Sequence, residues 1–93
     1  MNSIKFEWDT SKAASNIQKH GVTFEEARTV FFDEQARLIN DPDHSEIEQR
    51  FILLGFSSSL RVIVVCHCYR SDGNVIRIIS ARKATASETK AYD

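Results

Sequence analysis

Three β-rich runs, residues 50–56, 60–69 and 75–81, are separated only by Ser57-Ser58-Ser59 and by Ser71-Asp72-Gly73-Asn74. Connections of hairpin length between such runs make an antiparallel meander. A fourth, shorter strand is expected at Ala36-Arg37-Leu38-Ile39, closed by the Asp41-Pro42-Asp43 turn. The runs are apolar on both faces. Ile63 and Val65 oppose Val62 and Val64, and Val75 and Ile79 oppose Ile76 and Ile78. A sheet of this kind needs cover on both sides. Short helices can supply one side, so the second is expected to belong to a partner or to a cleft rimmed by charge.

Two helices are expected before the sheet. Asp9 can cap a helix over residues 10–19, with Ala13, Ala14 and Ile17 as its apolar stripe and Gly21 as its stop. Thr23-Phe24-Glu25-Glu26 has the form of a capping box, opening a second helix through Phe32 that buries Phe24, Ala27, Val30 and Phe31. So few residues join the two that a helical hairpin is expected. Ahead of them, Phe6 and Trp8 alternate with Glu7 and Asp9, as in a short strand or an extended entry. After the sheet, Thr85 and Glu88 mark the start of a last helix. The expected architecture is therefore one α+β domain over residues 1–93. It has an N-terminal helical hairpin, a four-stranded, mainly antiparallel sheet and a C-terminal helix.

Composition excludes several classes. No apolar run approaches the ~18 residues of a membrane span, and the N-terminus has no apolar core behind a basic start, so a cytoplasmic protein is expected. Net charge is −1, which argues against a protein that coats nucleic acid. Its distribution is uneven: residues 1–59 carry six cations against ten acids, and the remainder six cations against three acids. That asymmetry points to a localised surface that faces an anion. Cys66 and Cys68 flank His67, but on a strand the thiols and the imidazole point opposite ways. No further ligands complete a metal site, and the two cysteines are read as buried thiols.

The anion-facing feature is the run Ile76-Arg77-Ile78-Ile79-Ser80-Ala81-Arg82-Lys83, a strand with one arginine inside and two cations at its end, feeding a helix start. Guanidinium groups bind phosphate in a bidentate fork and stay protonated. Arg50 begins an earlier strand and joins the same set, although Glu7, Glu46 or Glu48 could equally engage Arg50 and Arg77 in ion pairs. Strand parity separates Arg77 from Arg82. Both serve one site only if the strand ends or bulges between Ala81 and Arg82. Lys19 and His20 close the first helix, where a cationic pair also suits the helix dipole, and His20 is a candidate for proton transfer. His67 reads as a sheet histidine and His44 as a turn residue; Tyr92 can stack on a base or pack on the sheet. With three glycines and no phosphate loop, nucleotide fingerprints are excluded. A phosphate-directed enzyme here is expected to need no cofactor. RNA is its simplest substrate, because the 2′-hydroxyl supplies the nucleophile.

Phe6-Glu7-Trp8-Asp9, Lys12, Asn16 and Lys19-His20-Gly21-Val22-Thr23-Phe24-Glu25-Glu26-Ala27 resemble the opening of the BrnT family. So do Asp41-Pro42-Asp43-His44-Ser45, Glu48 with Arg50, Gly55, and Arg77 through Thr85 with Glu88 and Tyr92. The resemblance runs from end to end. It implies a RelE-like fold and a metal-independent ribonuclease toxin of a type II toxin–antitoxin system that arrests translation. It also implies a BrnA-type antitoxin with a ribbon-helix-helix domain, a heterotetramer, and contact with operator DNA only through that antitoxin. Lys19, His20, Arg50, Arg77 and Arg82 carry over as candidate catalytic residues, with Lys83 and Tyr92 as candidate substrate contacts. Where the family usually has Glu-Arg near the last helix, this chain has Glu88-Thr89. Two other readings of the residues are a non-catalytic interaction module and a nucleic-acid binder without chemistry.

Overall fold

The computed structural model describes residues 4–40 and 49–93. The Asp41-Pro42-Asp43 turn, His44 and the ion-pair candidates Glu46 and Glu48 lie outside the described residues. The elements are β1 (Lys5–Glu7), α1 (Thr10–His20), α2 (Phe24–Thr29), β2 (Arg37–Asn40), β3 (Phe51–Phe56), β4 (Val62–Arg70), β5 (Val75–Lys83) and α3 (Ala86–Tyr92). A 3-10 turn, Val30–Phe32, extends α2.

The sheet has five strands, in the order β1-β5-β4-β3-β2, rather than four. The β2–β5 meander is antiparallel as expected, and β1 adds to β5 in parallel, with Glu7 opposite Arg77. A three-residue strand has too little sequence to announce itself. Side-chain contacts hold it in place: Phe6 packs edge-on against Phe31 at 5.3 Å with Arg28 over its ring, and Glu7 pairs with Arg77 and Arg70.

The helices correct a second expectation. They are joined by a short link, yet each packs chiefly on the sheet, α1 along β5 and α2 over β5 and β4. The cause is visible in α1, whose expected apolar stripe is not its anchor. Ile17 is 48% exposed, and the buried residue of the helix is Asn16. The Asn16 amide donates to the Ala81 carbonyl at 2.8 Å and accepts from the Ala81 N–H at 3.1 Å. It also donates to the Val22 carbonyl, tying the chain after α1 to the same point. Beyond β1, the edge of β5 is thus closed by a side chain.

Helix α2 does bury Phe24 and Ala27, with Val30 following, against Leu53, Ile63, Val65, Ile76 and Ile78. Its capping box is only half formed. Thr23 accepts from the Glu26 N–H, but the Glu26 carboxylate turns away to Arg61 and to the Ser57 hydroxyl. Gly55 lets the Val30 turn approach β3: a Cβ there would lie 2.7 Å from Val30 Cγ1. Helix α3 has the complete box, with Thr85 accepting from the Glu88 N–H and Glu88 from the Thr85 N–H.

Candidate active face

The site is organised by an irregularity in β5. Cys66 pairs with Ser80 and His67 with Ile78, so Ile79 is an extra residue, a β-bulge. Before it, the even residues Ile76 and Ile78 face the helices; after it, Ala81 does. Arg77, Ser80 and Arg82 pair with Cys68, Cys66 and Val64, which alternate along one face of β4. The two arginines therefore share the face turned away from α2. The strand runs on through Lys83, and the parity change falls at Ile79 rather than between Ala81 and Arg82 as the sequence suggested.

Arginines from both halves of the chain collect here. Arg70 pairs with Val75 and Arg37 with Leu54, placing both on this face with Arg77 and Arg82. Arg50 immediately precedes β3, in phase with Ile52 and Leu54. Its Nε is out of solvent and has no hydrogen-bond partner among the described residues. A buried donor without an acceptor is costly unless a ligand supplies one.

The arginines differ in how much of each guanidinium is used. Arg61 gives its Nε–Nη2 edge to Glu26, at 2.8 and 2.7 Å, and is structural. Arg82 instead presents its Nη1–Nη2 end to Glu88, both bonds at 2.8 Å, with a third from Nη1 to the Lys83 carbonyl. Arg77 uses Nη1 alone, on Glu7 at 2.8 Å. In both, no acceptor among the described residues takes the Nε–Nη2 fork that suits a phosphate. The Arg82 guanidinium, with the Thr85 amide behind it, holds the Glu88 carboxyl down at about 2. The pairing leaves both arginines reachable, at 31% and 42% side-chain exposure.

A second feature adjoins the first. A groove of about 330 Å³ runs between α1 and the bulge, lined by Ser11, Lys12, Ser15, Asn16, Lys19, His20, Ile79 and Ser80. Lys19 and His20 are thus together and beside Ser80, the residue between the two arginines. Lys83, opposite Ile63, has the other parity from Arg82 and leaves the arginine face. Tyr92 is engaged elsewhere: its hydroxyl donates to Asp33 Oδ2 at 2.7 Å, which pins α3 and holds the phenol above its ordinary range. His67 faces the core, among Phe31, Phe51 and Tyr69, while Cys66 and Cys68 lie on the opposite face. The sequence places Lys12, Ser80 and Glu88 among the residues that resemble the family but gives none of them a role at the site, and nothing in it marks Asp33. For Lys12 the signals were its place in that resemblance and its helical spacing from Lys19.

Residues 8–88 match the sequence family described as ribonuclease toxin, BrnT, of type II toxin–antitoxin system. The chain belongs to the BrnT family. It is accordingly a ribonuclease toxin, with RNA as its substrate class and an antitoxin as its partner. Its fold is similar to that of the Brucella abortus ribonuclease toxin, BrnT, solved by crystallography. The two are 24% identical, with 89% of this chain and 99% of that one covered and a TM-score of 0.68. No curated protein matches the chain. No helix among the described residues is long and apolar enough to cross a membrane.

Proposed function

We propose that this BrnT-family chain cuts RNA on the bulged face of β5 by metal-independent transesterification, and so arrests translation in the cytoplasm. The observation that carries this reading is the bulge at Ile79, which puts Arg77 and Arg82 on one face with Ser80 between them. The 2′-hydroxyl of the substrate attacks the adjoining phosphorus and loses its proton; the 5′-oxygen leaves and gains one. The protein's tasks are to orient the backbone, move those protons and stabilise the added charge on the phosphoryl oxygens. The open guanidinium forks of Arg77 and Arg82 suit the last task, and Lys19 and Arg50 suit the first. His20, in the adjoining groove, is the exposed imidazole among the described residues and suits proton transfer.

Geometry qualifies how the arginines act. Their partners Cys68 and Val64 are four residues apart on β4, about 13 Å at ~3.3 Å per residue. Glu7 and Glu88 hold the two guanidiniums from separate elements. One phosphate between them requires both guanidiniums to pivot away from these carboxylates and lean inward over Ser80 when RNA binds. The antitoxin is proposed to be of the BrnA type, bearing the ribbon-helix-helix domain of a heterotetrameric complex.

The test is induced expression with RNA integrity followed, together with cleavage of a short RNA by purified protein in chelator. Arg77→Ala and Arg82→Ala are expected to abolish cleavage and growth arrest while keeping the fold and antitoxin binding. Toxicity retained in both variants overturns the site. Steep salt-dependent RNA binding without any cleavage would favour a binder without chemistry.

A further inference from the structure

The groove between α1 and the bulge contains more than the proposed function uses. Lys12 and Lys19 both line it, seven residues apart on one helix, a rise of about 10 Å. Ser11, Ser15 and Ser80 add hydroxyls along the same walls, and Ile79 supplies an apolar one. The floor is closed, because the Asn16 amide is already committed to Ala81 and Val22. The nearest acid in sequence is the N-cap Asp9, whose carboxylate accepts from the Ser11 and Lys12 amides and whose charge also acts on the Lys12 ammonium. What remains facing outward is two exposed ammonium groups with neutral donors between them. Ammonium groups on long, exposed stems recognise phosphate as point charges and carry no sequence information.

We infer that this groove holds a phosphodiester of the RNA strand next to the one cut, with Lys12 as a substrate-positioning residue. The inference rests on the ribonuclease reading of the arginine face and extends it. Ser80 belongs to both surfaces, lining the groove and standing between Arg77 and Arg82. A strand bound on the arginine face thus passes over the bulged edge of β5 into the groove. Backbone and not base is recognised there, so the contact is independent of sequence. An acidic segment of the antitoxin is the competing occupant of a groove of this charge.

The experiment measures binding and cleavage of a short single-stranded RNA by wild type, Lys12→Ala and Lys12→Arg at several salt concentrations, with Lys90→Ala as an exposed control. Removing one phosphate contact from a single strand lowers the slope of log K against log salt by about 0.7. For Lys12→Ala we expect that fall, with a several-fold rise in KM, the loss lying in KM rather than kcat. Lys12→Arg restores both, and Lys90→Ala changes neither. An unchanged salt slope and KM in Lys12→Ala overturn the inference. So does weaker antitoxin binding by Lys12→Ala with RNA binding intact, which assigns the groove to the antitoxin. If wild type binds RNA but never cuts it, the ribonuclease reading of the face fails, while the salt slope of Lys12→Ala still decides the groove.

Discussion

The Asn16 side chain satisfies both backbone polar groups of Ala81, donating to its carbonyl at 2.8 Å and accepting from its N–H at 3.1 Å. One amide thus replaces a neighbouring strand at the point where β1 has ended. Asn16→Ala leaves the two Ala81 backbone groups without partners and should cost about 2–6 kcal/mol, at roughly 1–3 kcal/mol per group. Asn16→Asp keeps the acceptor but loses the donor and should also destabilise. Urea denaturation of both variants measures this, and a cost below that of a surface substitution would contradict it.

Gly55 should be intolerant of any side chain. Its added Cβ would meet Val30 Cγ1 at 2.7 Å and Ala36 Cβ at 3.0 Å. Because the Val30 turn is packed on the core, it cannot simply withdraw. Gly55→Ala is expected to cost about 1–3 kcal/mol, the usual range for overpacking, read as a lowered thermal midpoint.

His67 should make the fold acid-sensitive. Burial drives its pKa down to about 4 from an ordinary 6.5, and its ring nitrogens have only long contacts, at 3.4 and 3.3 Å. The unfolded chain therefore binds a proton that the folded chain refuses. Stability is complete above pH 6.5 and falls as pH is lowered towards about 4. Urea midpoints measured across that window should decline in wild type. In His67→Leu the decline over the same window should largely disappear.

Glu88 should titrate far below an ordinary glutamate. With its carboxyl held at about 2, the Arg82 pair contributes stability above pH 4.5 that is lost as pH falls through about 2. Carboxyl NMR should find that midpoint in wild type. In Arg82→Ala the midpoint should rise, the Thr85 amide alone keeping it below 4.5.

How much of this was legible depended on the range of each cause. Caps at Asp9, Thr85 and Gly21 are local, and the sequence showed them where the structure has them. The meander followed from short connections between long strands. What escaped detection was non-local. Asn16 is an unremarkable helix residue until Ala81, 65 positions on, presents an unpaired edge. Glu26 reads as a capping-box residue until Arg61 competes for it. Strand parity demands an irregularity between Arg77 and Arg82, but it lies at Ile79 in a strand that continues through Lys83, not after Ala81. Nothing in Ile78-Ile79-Ser80-Ala81 shows which residue will be displaced, since several there are apolar or small.

The bulge has a consequence for insertions and deletions. Counted against its neighbour β4, the strand β5 holds one residue more than the ladder has places for. Removing Ile79 would leave Arg77, Ser80 and Arg82 on the face they now occupy, since an excised supernumerary residue restores a plain two-residue repeat. Removing a residue earlier in the strand, at Ile76 for example, would force either β1 or the core to change its register. One position of this strand is therefore open to changes in chain length that the rest cannot absorb. At that position, shortening would straighten the edge and remove a wall of the groove without turning any arginine inward.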